Sequence, residues 1–313
     1  MEGMERVIPK SIDYQDVLPV SVPAIARRRR FFPQNGSEFN FLGSNEIRIE
    51  IGSVNALLDP AHSYLQFDVF NTSAAQTVGF DMGGAAIFFD EVRVEQGGRV
   101  LAQQQAFNRL HSGILTATQE SLNGTFDQAI RGAGRSISAG NGLVGMGTPV
   151  AAGGDGDVYA GSAHNLVNQI PATAGMRFSM PMPTGLFTQD KLIPLPLVAQ
   201  NAPITLVFRL TDPFNVGAWS AVVPRDTLSF VQVNYVAQLI EVGGDVIEQM
   251  KVMRDMMGGQ LVISGQDIEH TAGVLPANSA GEQPIHMPLR KRSMNSLLFN
   301  LQSDDYTNGP VGY

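Results

Sequence analysis

The chain of 313 residues has no cysteine and a single tryptophan, and only 16% of its residues are charged. Without cysteine there are no disulfides, thiolate nucleophiles or thiolate-ligated zinc and iron–sulfur sites. A charge fraction well under the roughly 25% usual for soluble domains points to an outer surface partly covered by other subunits. No run approaches the 18 apolar residues of a membrane-spanning helix. The N-terminal stretch "MEGMERVIPKSIDYQDV" lacks the apolar segment of a secretory signal. The sequons at Asn35, Asn71 and Asn123 are accordingly read as chance.

Basic charge is present but concentrated. The chain has 21 Lys and Arg against 29 Asp and Glu, yet Arg27, Arg28, Arg29 and Arg30 stand together near the N-terminus. Pro9, Pro19, Pro23 and Pro33 punctuate the first 43 residues, which read as an extended arm carrying this block. A solvated basic spot and a contact with an anionic partner are both open on the sequence.

From Asn45 the period changes. "EIRIEI" alternates charged and apolar residues over Glu46–Ile51, and "YLQFDVF" places Leu65, Phe67 and Val69 on one face. "IFFDEVRVEQGGRVLAQQ" predicts a hairpin turning at Gly97-Gly98. The spacing of Phe107, Leu110, Ile114 and Leu115 predicts a short helix over 105–121. Residues 123–175, rich in glycine and alanine, form a long insertion outside the core. "RFSMPMPTGLF" reads as a Pro-broken edge segment, and "ITLVFRL" and "LSFVQVNYVAQLIEV" as strands. Val246, Met250, Met253 and Met257 predict an amphipathic helix, and "QLVISGQDIEH" and "RKRSMNSLLFNLQ" two further strands. Strands joined by turns rather than by crossover helices predict an all-β antiparallel jelly-roll or Greek-key sandwich.

The chemical motifs are weak. Gly140, Gly142 and Gly145 fit G-x-G-x-x-G but lie inside the insertion, with no helix pattern after them. Asp155 and Asp157 lack the remaining oxygen ligands of a calcium loop. His62, His111, His164, His270 and His286 show no metal-ligand spacing, and Ser112 has no nucleophile elbow. Arg290, Lys291 and Arg292 read as a charged strand start, or as a contact with another subunit or nucleic acid. The sequence thus predicts no enzyme, no catalytic residue, no cofactor, no metal and no small-molecule substrate.

"SYLQFDVFN" followed by "AAIFFDEVRVEQGGRVLAQ", then "LIPLPLVAQNAPITLVFRL" and "VNYVAQLIEVGGDVIEQMKVM", resembles the strand order of double jelly-roll major capsid proteins of tailless icosahedral DNA viruses. The resemblance spans roughly residues 40–310 as an ordered pattern rather than a signature motif. It implies an arm over 1–43, a first jelly roll over 44–242 and, over 243–313, a linker helix and the start of a second roll. It also implies homotrimeric pseudo-hexagonal capsomers, other capsid proteins as partners and a place in the virion shell. Arg27, Arg28, Arg29 and Arg30 would then face packaged DNA or an internal membrane. Residues 243–313 are too few for a second eight-stranded roll. Compact rolls, a longer chain and a minor or penton component therefore all stay open. A carbohydrate- or ligand-binding jelly roll and a cupin-like enzyme are the readings from other classes. The single Trp219 and the scattered histidines speak against them.

Overall fold

The computed structural model describes residues 24–74, 78–79, 84–110, 135–136, 169–170, 172–182, 184–189, 191–211, 227–256 and 258–259, with short pieces at 263, 265, 267–271, 294 and 297. The strands are β1 (Ala24–Phe31), β2 (Glu38–Asn40), β3 (Glu46–Ile51), β4 (Leu57–Asn71), β5 (Val78–Gly79), β6 (Phe89–Gln96) and β7 (Arg99–Gln105). They continue as β8 (Arg135–Ser136), β9 (Gln169–Ile170), β10 (Gly175–Pro181), β11 (Ile193–Pro194), β12 (Ile204–Leu210) and β13 (Leu228–Val242). The helices are short: α1 (Phe107–Arg109), α2 (Leu195–Val198) and α3 (Gly244–Met256).

Two antiparallel sheets face each other. The first runs β1-β13-β4-β10-β8, with β2 on β13 and β11 on β4, and the second runs β3-β12-β6-β7. Taking the eight principal strands in chain order, the sheets read first–eighth–third–sixth and second–seventh–fourth–fifth. Two Greek keys wound in this way make a jelly roll. The fold is therefore the all-β sandwich that the alternation predicts, and the last strand of the roll ends at Val242.

Alternation decides which side chains enter the core. Ile47, Ile49 and Ile51 of β3, Leu65, Phe67 and Val69 of β4, and Ile204, Leu206, Phe208 and Leu210 of β12 are buried. Phenylalanines join the sheets. Phe67 stacks on Phe178 with centroids 5.6 Å apart and meets Phe89 edge-on at 5.3 Å. Phe88 meets Phe178 at 5.1 Å and Phe230 at 5.4 Å, also edge-on. Such pairs add about 0.5–1.5 kcal/mol each beyond the area they bury.

Two bulges break the long β4–β13 ladder. One lies between Val231 and Asn234, where Gln232 takes φ 53°, and the other between Val236 and Gln238. At the second, Asp59–Ser63 of β4 loops outward. Asp59 accepts from the Ala61 amide at 3.1 Å, and the Ser63 hydroxyl accepts from the Gln238 amide at 2.9 Å. The turn at Gly185 is also forced by sterics. Its φ is +56°, and a Cβ there would lie 2.5 Å from that of Ala102.

Four expectations change. The arm expected over 1–43 is a sheet strand from Ala24 onward. Its arginines hid it, because Ala24–Arg30 are exposed on both faces and show no alternation. The insertion does not stay wholly outside the core: Ile170 is fully buried, β9 pairs with β5, and Gly175 opens β10. In α3 the buried residue is Ile247, while Val252, Met253 and Met256 are exposed. Finally, the described residues 263, 265 and 267–271 carry no strand, although "QLVISGQDIEH" predicts one. The helix over 105–121 is described only to Leu110, and the rest of it, like the strand over 290–302 apart from Met294 and Leu297, lies outside the described residues.

Phe67→Ala should lower the unfolding free energy by about 3–5 kcal/mol, the usual cost of emptying a phenylalanine site in a packed core. Urea denaturation measures it. A loss no larger than that of an exposed substitution would show that the aromatic cluster does not hold the sheets together.

Candidate anion-binding edge

β1 pairs antiparallel with β13 along its whole length: Arg27 lies opposite Leu239, Arg28 opposite Gln238, Arg29 opposite Ala237 and Arg30 opposite Val236. Phe31, opposite the buried Tyr235, fixes the faces. Odd-numbered residues take the core side of the sheet and even-numbered ones the outer side. So Arg27 and Arg29 share one face, and Arg28 and Arg30 the other. Strand geometry puts the members of each pair about 7 Å apart.

The two faces differ in how their charge is met. On the core side, the Arg27 guanidinium lies 3.7 Å from the Glu241 carboxylate, and Arg29 sits 5.2 Å over the Phe31 ring. On the outer side, Arg28 donates to the neutral amide oxygen of Gln238 at 3.2 Å. Arg30 has no ion pair among the described residues. Several arginines elsewhere meet carboxylates. Arg177 donates to both oxygens of Asp68, at 2.6 and 2.8 Å, and these bonds raise the guanidinium above its ordinary pKa. Arg93 reaches Glu46 and Glu91, Arg209 reaches Asp90 and Glu91, and Arg48 reaches Glu46.

The outer face around Arg28 and Arg30 is polar and partly aromatic. Val236, opposite Arg30, lies in turn opposite the half-buried Tyr64 of β4. In the bulge, His62 is 74% exposed, with Nδ1 2.7 Å from Asp59 Oδ2. Beneath it, burial pushes the Tyr235 phenol up in pKa, the nearby Ser63 hydroxyl opposes this, and the Asp59 charge adds to it. Neither Gln238 nor Tyr64 was identified as part of a site from the sequence. Each sits in an ordinary alternating strand, and only the register brings it beside the arginines.

Most of the remaining candidates (Gly140, Gly142, Gly145, Asp155, Asp157, His111, Ser112, His164, His286, Arg290, Lys291 and Arg292) lie outside the described residues. His270, with Asp267 and Glu269, lines an open cavity of about 320 Å³ beside Gln103 and Gln105 of β7. Among the described residues no three His, Cys, Asp or Glu side chains gather as metal ligands, and no helix is long and apolar enough to cross a membrane.

No protein-family profile matches the chain, and no curated protein matches its sequence. Solved structures do match. PBCV-1 VP54, fitted into a cryo-EM reconstruction of the virophage Sputnik, is 14% identical with a TM-score of 0.42, over 75% of this chain and 46% of that one. The Faustovirus major capsid protein is 11% identical with a TM-score of 0.38, over 77% and 58%. The mavirus major capsid protein is 12% identical with a TM-score of 0.36, over 76% and 51%. The chain spans about half the length of each.

The Tyr235 shift has a consequence at high pH. A phenol held above its ordinary value of about 10 contributes stability below that pH and loses it as pH rises further. Tyr235→Phe removes this loss. Above pH ~10 its urea midpoint should fall less steeply than the parent's, and an equal fall would place the alkaline instability elsewhere.

Proposed function

We propose that the chain is a structural subunit of an icosahedral viral shell, with its basic edge turned towards an anionic interior. The observation that carries this is a closed jelly roll whose apolar helix face is uncovered. On α3, Val252 is 48% exposed, Met253 57% and Met256 82%. At the start of β1, Ile25 is also 57% exposed. Apolar side chains grouped in this way mark surfaces that other chains cover. The low charge fraction agrees.

In this reading the subunit forms homotrimeric, pseudo-hexagonal capsomers. Residues 243–313 begin a second roll, and Arg27, Arg28, Arg29 and Arg30 contact packaged DNA or an internal membrane. Such contacts do not depend on sequence and weaken with salt. Four arginines per copy bind weakly, but a shell multiplies them. The chain then needs no catalytic residue or cofactor. One feature favours a second reading, a ligand-binding jelly roll: the polar cavity lined by Gln103, Gln105, Asp267, Glu269 and His270.

Sedimentation and negative-stain microscopy of the purified protein separate these readings. The shell reading predicts trimers at micromolar concentration, and larger assemblies as salt is varied. A pentamer would assign the penton role. A monomer at every salt concentration would overturn the shell reading and leave the ligand-binding module.

A further inference from the structure

We propose that Arg28 and Arg30 are the phosphate-binding pair of β1, and that their ligand is a polynucleotide strand lying along the outer face of the first sheet. This rests on the reading that the basic edge meets an anionic interior, and it names the partner and the two residues that meet it.

Three observations carry it. Alternation splits the block, so a partner lying on one face meets two arginines, not four. Among the described residues, the core-side pair has partners in Glu241 and the Phe31 ring, whereas the outer pair has only the neutral Gln238. The outer face therefore carries two guanidinium charges without a carboxylate partner among these residues, and the core side one. Across β13 on the same face lie Tyr64 and the exposed imidazole of His62, the latter held by the Asp59 carboxylate, and aromatic rings near cations are how proteins hold single-stranded nucleic acid. Arginine suits the task, because its planar fork grips phosphate with two parallel hydrogen bonds.

A bilayer fits this face less well. Ile25, the exposed apolar side chain of the strand, lies on the opposite face with Arg27 and Arg29. A line of two cations also matches a linear polyanion better than a plane of headgroups.

The test compares full-length R28Q/R30Q and R27Q/R29Q with the parent. Binding to a fluorescent oligo-dT and to phosphatidylserine vesicles is read by anisotropy and co-sedimentation at several salt concentrations. For oligo-dT, the log–log salt slope of R28Q/R30Q should fall by about 0.7 for each phosphate no longer neutralised, or about 1.4 for the pair. R27Q/R29Q should keep the parent's slope, and R28K/R30K, which retains the charge, should keep most of it. If the double glutamine variant fails to fold by circular dichroism, R28Q and R30Q singly should each remove about half of the change. Equal losses from the two pairs, loss only with R27Q/R29Q, binding to vesicles but not to oligo-dT, or no oligo-dT binding by the parent at low salt would each overturn the proposal. Oligomeric state is read separately. A parent that assembles without binding oligo-dT sinks this inference and leaves the shell reading intact. A parent that binds without assembling does the reverse.

Discussion

The pairing of β4 with β13 is the constraint on which the rest depends. Each strand is 15 residues long, and they lie side by side at the centre of the first sheet. β13 closes the roll, yet it also holds β1 and β2 in place. The last strand therefore occupies the position that the first strands need. Most of the stabilising contacts join residues far apart in sequence, so the chain must close large loops before burial rewards it. The aromatic cluster is built on the same pair. Phe67 comes from β4, Phe230 from β13, and Phe89 at the start of β6 and Phe88 just before it reach them.

The arginine edge follows from this arrangement. β1 has β13 on one side and, among the described residues, no strand on the other. An unpaired edge invites strand addition by another chain, and charged side chains are a common way to discourage it. The arginines thus have a structural use whether or not an anion binds. The two uses are compatible, because strand addition is resisted by charge anywhere on the strand, whereas ligand binding draws on the face where neither arginine meets a carboxylate among the described residues.

Much of the sandwich is legible in the sequence because its strands have one wet face. "EIRIEI" reads correctly since Ile47, Ile49 and Ile51 enter the core while Arg48 and Glu50 meet solvent. The hairpin is legible because Gly97 and Gly98 both take positive φ, at 55° and 77°, which few other residues do readily. β1 is not legible, since an edge strand exposed on both faces has no alternation to show. Ile170 is missed because one apolar residue in a glycine-rich stretch carries no period. The stripe in α3 misleads for the opposite reason. Its period is real, but Ile247 is buried while Val252, Met253 and Met256 are exposed. Of the candidate site, the sequence displays the four arginines but not their division into two pairs. That division depends on register with β13, a partner more than 200 residues away.

Native-state hydrogen exchange tests the central claim most directly. If β13 closes the roll, the amides shared by β4 and β13 between Tyr64 and Phe70 and between Leu228 and Val236 exchange only through global unfolding, and with the same free energy. Amides of β1 that point away from β13 exchange far sooner. A β13 that exchanges through a smaller opening than β4, with the β3-β12-β6-β7 sheet still protected, would contradict the account, because the roll would then stand without its last strand.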